Sequence, residues 1–405
     1  MNAGDRMTQL TGSSRLLRAM NESATLGLLL DRGALTRGEI RELTGLSKPT
    51  ISDVLRRLTA SGLAVQVGQT SGGRGPNAEI YAANPAAGYA AAISVRETRE
   101  APRAVLSAAL CDVTGAQLAQ SDTPVEFEEA AGPGDALADV FAGLCRSARV
   151  DPRHVRFVQV GLPGSYDPGA LVIRHIHMPG WNRAGLVDEL ATRLGTTVAV
   201  ENDVNLATIA ERSRGVAGDC ESFALIWFGE GLGVGVDLGG TLIRGARGGA
   251  GEIGYVPVGL AGDGPRTELQ DLLGEAGVVA LAARHGLTGA TTEAAALTAA
   301  IDSSRPGGAQ GFLDELAGRI AWVLESVAAI VDPALIVLGG ELARAGGTVL
   351  ADRVAAALRT TSPLDTTIAV TGVTGDPVLL GALDAALRAV RDTLIGTVRN
   401  AVSAA

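Results

Sequence analysis

The sequence predicts an α/β protein in which a small helical N-terminal unit precedes a larger body of alternating strands and helices. Three observations lead to this prediction. The chain has 405 residues, which is too long for one typical domain. The first 83 residues show mainly helical apolar spacing, whereas the rest alternates apolar strands with amphipathic helices. Residues 1–80 carry a net charge of +3 in a chain of net charge −10, which leaves −13 for the body.

The composition indicates a globular protein with large cores, since 46% of its residues are hydrophobic and 19% are charged. No stretch of about 20 residues is free of charge, and the first residues lack the sections of a signal peptide. The three cysteines, Cys111, Cys145 and Cys220, are far apart, which argues against a disulfide framework and a cysteine-built zinc site. We therefore expect a cytoplasmic protein with no membrane contact.

Two short helices in the N-terminal unit, here called the head, form a helix-turn-helix pattern. Thr36 and Glu39 have the spacing of a capping box at the start of the first helix. Gly45 supplies a tight turn after it. Ser47 then caps the second helix, and Pro49 stands in its first turn, where a missing N–H costs nothing. This order of helix, glycine turn and helix is typical of DNA-binding modules.

A β-hairpin is predicted to follow the helices, with the strands "LAVQV" and "AEIYAA" around the loop "GQTSGGRGPN". This makes a winged helix-turn-helix over residues 1–84. Cations and hydroxyls at a helix start suit phosphate and base-edge contacts, and the basic head favours a polyanion partner. The alternative is a small protein-docking module with a solvated basic face. The predicted DNA contacts are Arg37, Ser47, Lys48, Thr50, Ser52, Arg56, Arg57 and Arg74.

Six glycine-rich phrases of the body occur in the order of one known family. Residues 88–390 resemble the ROK family, named for repressors, open reading frames and kinases. The resemblance implies a two-lobed actin-like ATPase fold over residues 85–405, with sugar and ATP in the cleft. The first lobe covers about 88–200 plus a C-terminal helix at about 378–400, and the second covers about 201–377. The phrases are "VGLPGSYDP", "MPGWNRAGL", "VAVENDVNLATIAE", "FGEGLGVGV", "RGARGGAGEIGY" and "LIVLGG".

The sugar side of the cleft is partly kept. By resemblance, Asn202 and Asp203 of "END" bind sugar hydroxyls, and in the family's kinases the Asp is the general base. Glu252 of "AGEIG" matches a further hydroxyl contact. A carboxylate after an apolar strand can accept two hydroxyl hydrogen bonds or take one proton. The alternative for Asp203 is the N-cap of the helix that begins "VNLATIAER".

Other positions depart from the family. Tyr255 stands where the family has a histidine that touches sugar and zinc, and "VPVGLAGDGPRTELQ" replaces the cysteine-rich zinc loop. Without thiolate ligands, no structural zinc is expected. Gln270 replaces a sugar-binding Glu, and His177 replaces an Asn. The expected effector contacts are Gly164, His177, Asn202, Asp203, Glu252, Tyr255 and Gln270, and we expect no metal and no cofactor.

The ATP side of the cleft is less well kept. Where the family has its first phosphate loop, this chain reads "ISVRETRE", with Ser94 in place of a metal-organising Asp and with Arg96 and Glu97 in place of glycines. In the second phosphate loop, Glu230 stands where the family has Thr. Its carboxylate would face the phosphates, and like charges repel each other. The phrase "DLGGT" at 237–241 resembles the missing phosphate motif. It lies after the second loop, so we interpret Gly239-Gly240 as a hairpin turn.

The sequence therefore predicts a DNA-binding transcriptional regulator, a repressor, whose kinase-like body senses a sugar-like effector and is not an enzyme. The resemblance also implies a homodimer or higher homo-oligomer, because family members dimerise, and two heads then meet two operator half-sites. Two alternatives remain open at this point. One is an ATP-dependent sugar kinase, and the other is a DNA-binding regulator whose body binds a protein partner.

Overall fold

The computed structural model describes residues 3–69, 78–98, 103–128, 132–176, 178–229, 231–259, 266–302, 306–364 and 366–400. Across these ranges the chain forms a head, two sheet-based lobes and a long C-terminal helix that contacts all three. None of the helices in the described ranges has the length and apolar character needed to span a membrane.

The head is a winged helix-turn-helix. Its three strands form one antiparallel sheet in the order β1-β3-β2. Two features differ from the sequence prediction. The helix that precedes the helix-turn-helix is predicted by apolar spacing from residue 14 onward, but it begins at residue 3. A two-residue strand, too short for any periodicity, pairs with the wing. The elements are α1 (Ala3–Arg32), β1 (Leu35–Thr36), α2 (Arg37–Thr44), α3 (Lys48–Ala60), β2 (Ala64–Gln69) and β3 (Glu79–Ala83).

The predicted caps of the helix-turn-helix are confirmed. Thr36 and Glu39 bond reciprocally in a capping box, with the Glu39 carboxylate 2.7 Å from the Thr36 N–H. Gly45 adopts a left-handed conformation at φ 69°, which ends α2. The Ser47 hydroxyl accepts a bond from the backbone of Thr50 at the start of α3. These local contacts fix the angle between α2 and α3.

The first lobe is a five-stranded mixed sheet in the order β10-β7-β4-β5-β6, with α4 and α5 packed on one face. Strands β7 and β10 are parallel to β4, so their carboxyl ends meet at one edge. The elements are β4 (Tyr89–Glu97), β5 (Arg103–Asp112), β6 (Gln117–Glu126), α4 (Gly134–Ala148), β7 (Val155–Leu162), β8 (Ser165–Asp167), β9 (Val172–Arg174), α5 (Leu186–Leu194) and β10 (Thr197–Asn202).

The second lobe is a five-stranded sheet in the order β13-β12-β11-β14-β15, covered by α7 to α11. The chain then returns to the first lobe in α12. The elements are α6 (Asp203–Arg214), β11 (Ser222–Phe228), β12 (Leu232–Leu238), β13 (Thr241–Leu242), α7 (Leu269–Leu273), α8 (Glu275–Arg284), α9 (Glu293–Asp302), α10 (Pro306–Val331), β14 (Leu335–Gly339), α11 (Gly340–Thr361), β15 (Thr367–Val370) and α12 (Pro377–Asn400).

Helix α12 joins the head to the body. Its residues share one apolar core with α1, α3 and the first-lobe sheet, in which Leu26, Leu383 and Val390 are buried. The Ser23 hydroxyl of α1 donates to the Ile395 carbonyl of α12 at 3.4 Å. The head is therefore packed on the body and does not hang from a free linker.

Helix α6 lies between both sheets and α12, with glycines at its closest contacts. A Cβ on Gly161 of β7 would meet the Leu206 side chain, and one on Gly235 of β12 would meet Thr208. At Gly381 of α12, a Cβ would overlap the Leu206 carbonyl of α6. Because glycines let neighbouring elements approach α6 this closely on three sides, α6 has little room to move independently of α12.

Candidate nucleic-acid interface and ligand cleft

Helix α3 presents one polar face to solvent. Its apolar residues Ile51, Val54, Leu55 and Leu58 are buried against the rest of the head. The opposite face carries Lys48, Ser52 and Arg56, which are exposed and four residues apart, so that they lie along one line. A helix of this form, with cations and a hydroxyl along its open face, fits the major groove of DNA.

The other predicted DNA contacts have different surroundings. Ser47 and Thr50 bond to each other at 2.8 Å in the cap of α3. Arg37 donates to the Tyr81 hydroxyl of the wing at 2.8 Å, stacks over its ring and pairs with Glu79. Arg57 pairs with the carboxylates of Glu22 on α1 and Asp53 on α3. Arg74 lies outside the described residues.

Asn202 and Asp203 lie where β10 ends and α6 begins, at the carboxyl edge of the first-lobe sheet. The Asn202 side chain accepts a bond from the Asn205 N–H at 3.1 Å, so Asn202 is the N-cap of α6. The alternative that Asp203 caps this helix is therefore wrong. The Asn202 amide also donates to the Gly164 carbonyl at 3.3 Å, which brings two predicted contacts together. A Cβ at Gly164 would crowd the Arg174 carbonyl, so this loop requires glycine.

Two carboxyl groups in the cleft, those of Asp203 and Glu252, are weaker acids than usual because their pKa values are raised. Enclosure by the protein raises the pKa of Asp203 to about 7, and the nearby Glu252 carboxylate contributes to the rise. Burial also raises the pKa of Glu252, against the opposing effect of His175. Asp203 is the first residue of α6, directly after the first-lobe strand β10, whereas Glu252 precedes a short turn of the second lobe. Near neutral pH, the Asp203 carboxyl group is therefore partly protonated.

The histidine at this site is His175, and the sequence analysis missed it. The predicted contact His177 lies outside the described residues. The His175 ring centre lies 5.1 Å from that of Tyr255, and His175 is close enough to Glu252 to affect its pKa. Its backbone has φ 57°, which is uncommon for a residue other than glycine. Neither this conformation nor the ring contact has a sequence pattern that could have revealed it.

A cavity of about 390 Å³ lies beside His175, along β9 and the loop that follows it in the first lobe. Its volume is within the range of small-molecule sites. The cavity is lined by Val172, Ile173, Arg174, His175, Ile176 and Asn182.

The predicted contact Gln270 lies against β12 of the second lobe. Its side-chain oxygen accepts a hydrogen bond from the Leu232 N–H at 2.9 Å.

The two lobes also contact each other around the cleft. Arg244 of the second lobe forms an ion pair with Glu201 at the end of β10. Gly248 lies against the Tyr166 carbonyl of β8, so closely that a Cβ would clash with it. Together with the His175–Tyr255 ring contact, these pairs hold the cleft in one arrangement of the lobes.

The segment that corresponds to the family's first phosphate loop forms regular antiparallel β-sheet. Strands β4 and β5 pair regularly from Tyr89↔Asp112 to Glu97↔Ala104, through the stretch where the family has its loop. Ser94 is buried in this ladder and Arg96 is exposed beside it. Residues 99 and 100, like Glu230, lie outside the described ranges. The backbone at Ser94 therefore takes part in regular strand pairing with Ser107.

The phrase "DLGGT" forms a hairpin turn, as predicted. Leu238 pairs with Thr241, and Gly239 and Gly240 between them have φ of 60° and 79°. The Asp237 carboxylate accepts a bond from the Gly240 N–H at 2.8 Å and pairs with Arg212 of α6 at 2.5 Å. The phrase therefore resembles a phosphate motif in sequence only, because its structure is that of a β-hairpin turn.

The described residues contain no group of three or more His, Cys, Asp or Glu side chains arranged to hold a metal ion. Of the segment that replaces the zinc loop, residues 260–265 lie outside the described ranges. The remainder runs along the second lobe, where Pro257 and Glu268 form a single bridge.

Comparison with known families divides the chain as the structure does. The model of the ROK family matches residues 104–387, and that of the MarR family matches residues 17–75 in the head.

Curated relatives include regulators and a kinase. The DNA-binding transcriptional dual regulator NagC of Escherichia coli (strain K12) is 28% identical over 61% of this chain and 59% of its own length. The xylose repressor of Bacillus subtilis (strain 168) is 23% identical over 61% of this chain and 62% of its own length. The glucokinase of Halalkalibacterium halodurans is 28% identical over 48% of this chain and 63% of its length. The matched part thus spans about three fifths of each relative.

One solved structure shares the whole architecture. It is a ROK family transcriptional regulator described as a homolog of the E. coli MLC protein, with a TM-score of 0.72 and 19% identity. The alignment covers 95% of this chain and 99% of that one, and so includes the head as well as both lobes. With a family model that matches well over half of its residues, the chain belongs to the ROK family.

Proposed function

We propose that the protein is a sequence-specific DNA-binding transcriptional regulator, a repressor of sugar-related genes, whose body senses a sugar or sugar derivative. One observation carries the proposal. The exposed face of Lys48, Ser52 and Arg56 stands on a helix-turn-helix that is packed onto a body with a carboxylate-lined cleft. The relatives support it, since one is named a DNA-binding regulator and another a xylose repressor.

In this proposal α3 enters the major groove of operator DNA. Lys48 and Arg56 contact base edges or phosphates, and Ser52 lies between them. The protein acts in the cytoplasm as a homodimer or higher homo-oligomer, so that two heads meet two half-sites about one helical turn apart. Dimer symmetry would then make the operator palindromic.

The cleft binds the effector through hydroxyl groups. Asp203 and Glu252 accept hydrogen bonds from sugar hydroxyls, and each carboxylate can accept two. Asn202 and Gly164 are already bonded to each other, so they set the shape of the site. His175 and Tyr255 close it from opposite lobes. A ligand that touches both lobes favours one lobe arrangement by its differential affinity for that arrangement.

A change at the cleft can reach the head through two helices. Helix α6 begins at Asp203 in the cleft and ends at Arg214, which forms a double hydrogen bond with Asp384 of α12. Helix α12 in turn packs on α1 of the head. Because α6 fits tightly against α12 at Gly381, a shift of α6 would move the base on which the head stands.

We further propose that the protein transfers no phosphate. Within the described residues, regular strand pairing runs through Ser94 to Glu97, where the family has its phosphate loop, and Ser94 supplies no carboxylate for a metal ion. The second candidate function is an ATP-dependent sugar kinase. It is favoured by the pKa of about 7 for Asp203, which suits a general base, and by the glucokinase relative. Incubation with ATP, Mg²⁺ and glucose, xylose or N-acetylglucosamine separates the two, because an ordinary kinase turns over on the order of once per second or faster.

The experiment that tests the sensor function compares the native protein with Asp203→Asn. Titration calorimetry with the three sugars gives the affinity, and a gel shift with and without sugar gives the response. We expect Asp203→Asn to weaken sugar binding by about 1–3 kcal/mol, because hydroxyl donors lose their acceptor. Operator binding without sugar should change little, because the head is untouched.

Asp352→Asn, at an exposed position of α11, is the control. If Asp203→Asn binds sugar and releases DNA as the native protein does, the cleft is not the sensor. A regulator that is controlled by a protein partner is then the better description.

A further inference from the structure

Four charged side chains form a continuous chain from α1 to the open face of α3. The Glu22 carboxylate of α1 lies 3.7 Å from the Arg57 guanidinium. The Arg57 Nε donates to Asp53 Oδ2 at 2.9 Å, and the Arg56 Nη2 donates to Asp53 Oδ1 at 2.5 Å. One oxygen of Asp53 thus serves each arginine, and we call the four residues the charge chain.

The members of the charge chain differ in exposure. The side chain of Arg56 is 67% exposed, that of Arg57 is 39% exposed and that of Glu22 is 19% exposed. The chain is therefore anchored inside the head and ends in solvent at Arg56. Exposed ion pairs contribute little to stability, so the pairing of Arg56 with Asp53 has little value for folding alone.

We propose that Asp53 is a positioning residue that presents Arg56 to the base edges of DNA, and that Arg57 anchors Asp53 and is not itself a DNA contact. The proposal rests on the DNA-binding function proposed above. It changes the role of Arg57, which the sequence analysis counts among the DNA contacts.

Two physical effects follow from a carboxylate at this place. An arginine held in one conformation loses less rotamer freedom when its planar guanidinium binds a guanine. The negative charge of Asp53 also weakens the attraction of the same arginine to phosphates, which occur in every DNA sequence. Both effects raise the preference for the operator over other DNA without adding a contact.

The test begins with selection of an operator by the native full-length protein from a random-sequence DNA duplex library. Dissociation constants are then measured for that operator and for a scrambled duplex, over a range of salt concentrations. The variants are Asp53→Asn, Asp53→Glu and Arg57→Gln. Glu42→Gln, at an exposed position of α2, changes the charge of the head by the same amount and is the matched control.

We expect Asp53→Asn to lower the operator-to-scrambled affinity ratio about three- to tenfold, chiefly because scrambled DNA binds more tightly. Glu42→Gln should leave the ratio unchanged. Asp53→Glu should restore most of it, since a carboxylate is again within reach of Arg56. Arg57→Gln should lower the thermal stability but leave the salt dependence of operator binding nearly unaltered, because no phosphate contact is lost.

Several outcomes would overturn the proposal. Equal ratios for Asp53→Asn and Glu42→Gln would show that the position of the Asp53 carboxylate does not matter, while the DNA-binding function would stand. If Asp53→Asn selects a different base at one position at an undiminished ratio, Asp53 reads a base directly. A salt slope lowered by about 1 in Arg57→Gln would make Arg57 a phosphate contact. Failure of the native protein to enrich any sequence would remove the proposed function itself.

Discussion

Helices α3 and α6 both begin at a capped N-terminus beside a predicted ligand contact, but they are exposed to ligands in opposite ways. Helix α3 buries one side and leaves Lys48, Ser52 and Arg56 open along its length. Helix α6 is enclosed by two sheets and α12, and only its start at Asn202 and Asp203 borders the cleft. The first arrangement suits a long polymer that lies along a helix, and the second suits a small molecule at its end.

The difference also concerns rigidity. An open helix such as α3 can be changed at its surface with little effect on the fold. An enclosed helix such as α6 passes any displacement to its neighbours, because close-packed backbones do not deform gradually. The following predictions separate these two kinds of behaviour, in order of decreasing effect.

The largest effect is expected for Gly381→Ala in α12. The added methyl group would overlap the Leu206 carbonyl of α6, and neither backbone can yield easily. We expect a loss of about 3 kcal/mol in the free energy of unfolding, measured by urea denaturation. Gly396→Ala on the same helix is the control, because open space surrounds it, and it should stabilise by about 0.5–1 kcal/mol. Similar results for both variants would mean that α6 and α12 are not tightly joined.

Changes on the open face of α3 should affect DNA binding and leave stability almost unchanged. Lys48→Ala and Arg56→Ala should each weaken operator binding by about 1–3 kcal/mol if they touch base edges. If either residue contacts only a phosphate, its replacement should instead lower the slope of log affinity against log salt concentration by about 1. Arg359→Ala, exposed at the end of α11, is the control for charge. Normal operator binding by both variants would exclude this face as the DNA interface.

The pH dependence of stability should reveal the enclosure of Asp203. Its pKa of about 7 in the folded protein exceeds its value of about 4 in the unfolded chain. Between these values the folded state holds more protons, so stability falls as pH rises from about 4 to 7. Asp203→Asn removes this loss and should be more stable than the native protein at pH 8. Three pKa units correspond to about 4 kcal/mol, and we expect about half of this, because Asp203 is only partly buried and keeps some hydration. A constant difference between pH 5 and pH 8 would contradict the raised pKa.

The smallest effect on stability is expected where α6 ends. Asp384→Asn weakens the partly exposed pair with Arg214, which should cost less than about 1 kcal/mol. The same change should reduce the effect of sugar on operator binding, while sugar affinity in calorimetry stays the same. Asp392→Asn, exposed on the same helix, should leave the response intact. An unaltered response in Asp384→Asn would exclude this pair from the coupling route.

Much of the head could be predicted from the sequence because its determinants are local. The capping box of Thr36 and Glu39, the turn at Gly45 and the cap at Ser47 each depend on residues within four positions. The turn at Gly239 is of the same kind, which is why a misleading phrase could be interpreted correctly. The pairing of β1 with the wing depends on residues 44 or more positions away and left no pattern of its own.

The cleft was harder to predict because its contacts join distant parts of the chain. Asn202 and Asp203 were found through a phrase, but the contact of His175 with Tyr255 spans 80 positions and both lobes. The same holds for Arg57, whose ion pair with Glu22 of α1 has no pattern in the sequence. Residue type and spacing identified candidates here, whereas their partners decided which role each candidate could have.

Lys48 is the only lysine in the chain, and it is exposed on α3. An amine-directed reagent therefore has one side-chain target, which lies on the proposed DNA interface. A fluorophore or a crosslinker placed there needs no engineered cysteine and no removal of competing lysines. Protection of the Lys48 amine by DNA, followed by mass spectrometry of the peptide that contains it, would turn one residue of the sequence into a built-in reporter of occupancy.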